Sequence, residues 1–82
     1  MIPNMTKIEE KLQKLGYIEV DCAKCVWKKV IFGLHIQFYI NDKKITGLHL
    51  STYGIKKNVS NVELAVEYLQ NDLYKLEDFI DD

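Results

Sequence analysis

Cys22, Cys25, His35 and His49 are the residues of this chain whose types could act together, because thiolate and imidazole are ligands that zinc accepts. Their spacing, C-x2-C-x9-H-x13-H, is not that of a recognised zinc module, and one C-x-x-C alone is a weak motif. A redox pair needs its first cysteine at a helix N-terminus in a βαβ setting; here the motif falls between two strand-like runs. The simpler reading makes Asp21-Cys22-Ala23-Lys24 a turn, with Asp21 accepting a backbone hydrogen bond and both histidines solvated on a strand face. That reading is preferred, with no cofactor. A zinc- or nucleic-acid-binding module built on Cys22, Cys25 and the lysine-bearing half is the alternative.

The parts for catalysis are missing. Five Ser/Thr residues, no G-x-S-x-G, no H-E-x-x-H, no P-loop and no clustered glycine leave nothing to carry acyl, phosphoryl or metal-assisted chemistry. The expectation is a protein that is not an enzyme.

The elements that must position these residues follow from periodicity. Thr6-Lys7-Ile8-Glu9 matches a capping box, Gly16 suits the left-handed position just past a helix, and Met5, Ile8, Leu12 and Leu15 share one face between them. From Tyr17 to Tyr53 the period changes to two, and YIEVD, CVWKKVI, LHIQFYI and TGLHLSTY read as four strands. Their connections are too short for parallel crossovers, so the strands form an antiparallel meander. Leu34, Ile36, Phe38 and Ile40 mark the buried face of the third strand, continued by Leu48 and Leu50 in the fourth. Ile45 is out of phase with that pair, so either the turn has three residues or a bulge sits near Gly47. The second strand is ambiguous: Trp27/Ile31 or Val26/Val30/Phe32 could face inward, each set sharing its face with Lys29 or Lys28.

Ser60 and Glu63 form a second capping box, with Val59 and Leu64 as a hydrophobic staple. Val62, Val66, Leu69, Leu73, Leu76 and Ile80 recur at helical spacing, which predicts a helix of about 20 residues. The predicted fold is α+β over residues 1–82: a short N-terminal helix, a four-stranded antiparallel β-meander and a long C-terminal helix in a single domain, both helices on one face of the sheet.

Composition bounds the function. Eighty-two residues give a small core, and 48% hydrophobic with 28% charged residues is the balance of a folded soluble chain. No membrane-length apolar run and no signal-like start occur, so a cytoplasmic location is expected, where a structural disulfide is disfavoured. All eleven basic residues are lysine, a composition suggesting an AT-rich genome such as that of a low-GC bacterium or its phage. Residues 1–59 carry ten lysines against five acids, and residues 60–82 carry seven acids against Lys75. The chain is bipolar.

Helix, meander, helix is also the order of the double-stranded-RNA-binding domain, an analogy of order alone. The last helix begins with Glu63 and Glu67 rather than a basic cluster, and the chain has no arginine for base readout, so no nucleic-acid partner is expected. Protein contact remains. On the last helix Tyr68 and Phe79 lie away from the core stripe, with Glu67, Asn71, Lys75 and Asp78 around them. Single exposed aromatics are ordinary on small proteins, but such a pair on an acidic helix also suits a basic partner or a second copy of the chain. The reading is a small non-enzymatic interaction protein, a regulator or inhibitor of phage or mobile-element type. Self-association into a dimer would use Phe79 and Tyr68 of a helix whose last turn overhangs the sheet.

Overall fold

The computed structural model describes residues 5–21, 25–52 and 59–80; the side chains of Asp21, Val59 and Ser60 lie outside that description. Thr6 caps the first helix, α1 (Lys7–Lys14): its hydroxyl accepts from the Glu9 N–H while the Glu9 carboxylate accepts from the Thr6 N–H. At the other end Gly16 adopts φ 96°, the Gly16 N–H donates to Gln13 O and the Tyr17 N–H to Leu12 O. Those two bonds make a Schellman cap, which turns Tyr17 straight back into the core beside Leu12.

The four strands are β1 (Ile18–Asp21), β2 (Val26–Ile31), β3 (Leu34–Asn41) and β4 (Lys44–Ser51), all antiparallel in the order β1-β2-β3-β4. Two-residue turns join the last three. Phe32 (φ 49°) with Gly33 (φ 82°), and Asp42 (φ 53°) with Lys43 (φ 63°), have the paired positive φ of type I′ turns, whose twist matches that of the flanking strands. The turn at Asn41↔Lys44 thus has two residues. The phase slip is a bulge at Thr46: Tyr39 pairs with Gly47 and Ile40 with Ile45.

Register settles β2. Trp27 stands opposite Phe38, Lys29 opposite Ile36 and Ile31 opposite Leu34, and directly opposed residues share a face. The buried face is therefore Trp27, Lys29 and Ile31. Val30 and Phe32 are half exposed. Val26 is buried on the outer face beside its partner Tyr39.

Helix α2 (Val59–Lys75) runs 17 residues, followed by a 3-10 turn, Glu77–Phe79. Val59 and Ser60 are already helical, so Ser60 is not the N-cap expected of it. Ala65, Leu69, Asp72 and Leu76 form the buried line, flanked by partly buried Val62 and Leu73, while Val66 is exposed. Relative to the expected stripe the helix is rotated by about 50° at 100° per residue. The expected overhang is also absent. After Leu76 the chain tightens and returns, Phe79 and Ile80 pack on the core, and Ile80 forms a parallel bridge with Ile45. Both helices contribute to one core with the inner faces of β2, β3 and Ile45. No helix among the described residues is long and apolar enough to cross a membrane.

Lys43 is held in the left-handed region, which costs a β-carbon-bearing residue about 1–2 kcal/mol. Lys43→Gly, which makes the favoured Asp-Gly turn, is expected to raise unfolding stability by about 1 kcal/mol in urea titration.

Candidate interaction face

Lys29 on the inner face of β2 is a cation inside an apolar layer, and three elements meet to satisfy it. Its Nζ donates to the Leu15 carbonyl at the end of α1 (2.7 Å) and to Asp72 Oδ2 of α2 (3.1 Å), and lies 5.2 Å from the centroid of the Tyr17 ring. The Tyr17 hydroxyl donates to the same carboxylate oxygen at 3.0 Å, and its ring packs 5.1 Å from that of Phe38. Burial, then the Asp72 charge and the hydrogen bond to it, push the Tyr17 phenol well above its ordinary range. No buried side-chain polar atom among the described residues lacks a partner. The cluster is internal and fully engaged, so it orients the helix and does not present a reactive group.

That rotation decides what α2 shows to solvent. Glu67, Tyr68, Asn71 and Lys75 are exposed on its outer side, and Leu64, Glu67, Tyr68, Gln70, Asn71 and Tyr74 line an open concavity of about 540 Å³. Asp78 is exposed, in the 3-10 turn beyond the helix. Phe79 is not part of this face: it is half-buried against the chain's own core. Its place is taken by Phe32. The Phe32 ring stacks 5.8 Å from that of Tyr68, and the two are 50% and 52% exposed. A groove of about 370 Å³ lined by Lys29, Val30, Ile31, Phe32 and Tyr68 lies beside the pair.

Phe32 was missed from sequence, although one signal was present. A two-residue hairpin turn calls for Asn, Asp or Gly at its first position, and here a phenylalanine occupies it at φ 49°. The left-handed conformation costs about 1–2 kcal/mol, and an aromatic contact returns about 0.5–1.5 kcal/mol. The stack roughly offsets the strain while leaving both rings half in water.

Of the residues that could serve the alternative zinc reading, the described ones, Cys25, His35 and His49, do not converge. His35 and His49 share the outer sheet face as diagonal neighbours, since His35 pairs with Ser51 and His49 with Gln37. Cys25 lies in the turn before β2, five residues from the Val30 that pairs with His35, which is about 17 Å of strand. Cys22 lies outside the described residues, and no group of three His, Cys, Asp or Glu placed to hold a metal occurs among the described ones. The Lys28/Lys29 pair is also divided, Lys28 on the outer face and Lys29 inside. Lys56 and Lys57 lie outside the described residues.

No protein-family model, no curated protein and no solved structure matches the chain.

Removing the Asp72 carboxylate leaves a half-buried ammonium without its counterion. Asp72→Ala is expected to cost about 3–5 kcal/mol, near the whole stability of a domain this size, whereas Tyr17→Phe costs about 1 kcal/mol. Urea unfolding followed by circular dichroism measures both. A loss below about 1 kcal/mol for Asp72→Ala would show the pair to be uncoupled from the fold.

Alkali provides a second check. The folded chain keeps the Tyr17 proton that the unfolded chain releases above about pH 10, so stability is full below that pH and falls as pH rises past it. The urea midpoint is expected to drop between about pH 9 and about pH 11, and to drop less in Tyr17→Phe.

Proposed function

We propose that this is a small non-enzymatic protein-interaction module, a regulator or inhibitor of phage or mobile-element type. In this reading its partner docks on the outer side of α2 and the adjoining Phe32 turn. The observation that carries the reading is Phe32 itself. A bulky residue kept in a left-handed turn position, half exposed and stacked on a half-exposed tyrosine, departs from the local rule without a gain in burial. Such departures concentrate at functional sites.

The surroundings suit a protein partner better than a small ligand. The concavity on α2 is shallow and open, mixing apolar Leu64, Tyr68 and Tyr74 with polar Glu67, Gln70 and Asn71. Aromatic anchors within a polar rim are the usual composition of an interface centre. Exposed Glu63 and Glu67 make the N-terminal half of α2 acidic beyond its first turn, so the partner surface is basic; a target that otherwise holds nucleic acid would be occluded by competition.

The test uses a substitution that should spare the fold. Phe32→Asn supplies the residue the turn prefers, so stability is expected to stay within about 1 kcal/mol of the parent. Affinity capture from the source organism's lysate, followed by titration of the captured protein, is expected to show binding weakened about tenfold or more by Phe32→Asn and by Glu67→Lys. Capture that is indifferent to both substitutions, with the fold intact, overturns the reading.

A further inference from the structure

β4 is an edge strand that is closed at one end and open along the rest. At its start Ile80 bridges Ile45, and Lys44 Nζ donates to the Asp78 carbonyl at 3.3 Å. The Thr46 bulge follows, and beyond it nothing among the described residues pairs with the outer edge of Gly47–Ser51. Counted from the Asn41–Lys44 pair that closes the two-residue turn, the alternation of an antiparallel ladder directs the N–H and C=O groups of Leu48 and Leu50 toward that edge.

The inner face of β4 is also incompletely covered. Leu48 and Leu50 stand opposite Phe38 and Ile36, which are fully buried, yet they are 42% and 43% exposed. The helix layer thus leaves the β4 end of the inner face partly uncovered. Edges are ordinarily defended by a charge, a proline, a bulge or brevity. β1, the other edge, has four residues and a register shift. Gly-Leu-His-Leu-Ser at positions 47–51 has no such device.

We propose that Gly47–Ser51 pairs antiparallel with the same stretch of a second copy, joining two four-stranded sheets into one of eight strands about a two-fold axis at His49. The site requires an extended segment without carboxylates or lysines, apolar at alternate positions on the helix side. β4 meets that requirement itself. Pairing about His49, the midpoint of the open stretch, sets Leu48 against Leu50 of the second copy and Leu50 against its Leu48, closing the apolar strip. The stretch carries no acid or lysine to repel its copy, unlike the outer side of α2 with Glu63 and Glu67. Two-fold pairing also closes on itself, so the edges are consumed and no fibre grows through them. Five residues a side make an interface below about 1,200 Å², the size of a reversible association between protomers that fold alone.

Sedimentation equilibrium from about 10 µM to about 1 mM is expected to show a monomer–dimer equilibrium. Leu50→Lys places a charge at a half-exposed edge position; it is expected to weaken the dimer about tenfold or more while circular dichroism and the melting curve stay near those of the parent. Phe32→Asn is expected to leave the dimer unchanged, which separates this edge from the face on α2. Register is read by His49→Cys in a Cys22→Ser, Cys25→Ser background: directly opposed β-carbons lie about 4.5–5.5 Å apart, so mild oxidation should link the copies, and Thr46→Cys should not. A strict monomer at about 1 mM, whether bare or holding a foreign strand, overturns the proposal. So does a dimer indifferent to Leu50→Lys, or one that His49→Cys fails to cross-link.

Discussion

The arrangement of this molecule depends on a lysine placed where a hydrophobic side chain would be simpler. Lys29 lies on the inner face of β2 opposite Ile36, and its half-buried ammonium must find partners at the edge of an apolar layer. Asp72 and the last carbonyl of α1 meet it, and the Tyr17 hydroxyl takes up the same carboxylate oxygen. A largely desolvated pair of this kind adds little over well-packed apolar residues, because desolvation consumes most of the Coulomb gain. What it does is orient. Any other rotation of α2 would strand the carboxylate, the ammonium and the phenol together, so the pair excludes alternatives more than it deepens the minimum.

The rotation has consequences on both sides of the helix. Ala65 is fully buried on the helix's inner line, and Val66, the next residue, is turned out to solvent. Tyr68 swings toward the Phe32 turn on the β2 side and meets its ring. One internal ion pair thus sets which residues line the aromatic face and which leave β4 uncovered. The two surfaces share no residue.

Much of this was legible beforehand where a residue's role is local. The Thr6 and Gly16 caps, the alternation in β3 and the meander all follow from neighbours within a few positions, whereas the phase slip of Ile45 fitted a three-residue turn as well as a bulge. The inner face of β2 did not, because each choice carried one lysine and only the pairing with β3 selects between them. The helix rotation failed for a related reason. A search for apolar spacing passes over Asp72, although the line Ala65, Leu69, Asp72, Leu76 has the same 4-3-4 spacing as an apolar stripe. An acid on a helix stripe and a lysine on an inward strand position, considered together, were the available signal. The retreat of Phe79 and Ile80 onto the core depends on the 3-10 turn after Leu76, which no capping residue announces.

The bridge between Ile80 and Ile45 bears on the order in which the chain can assemble. β1 through β4 are joined by adjacent hairpins, each of which closes a short loop and can form within microseconds. The bonds that bring α2 home span far more of the chain: Tyr17 to Asp72 across 55 positions, Lys29 to Asp72 across 43 and Lys44 to Asp78 across 34. Contacts of that reach are made late, after the loop-closure entropy has been met. Past the end of α2, Ile80 ties the chain to the start of β4 through its bridge to Ile45. The docking of α2 therefore depends on contacts of long sequence reach, whereas each hairpin of the sheet needs only its neighbours.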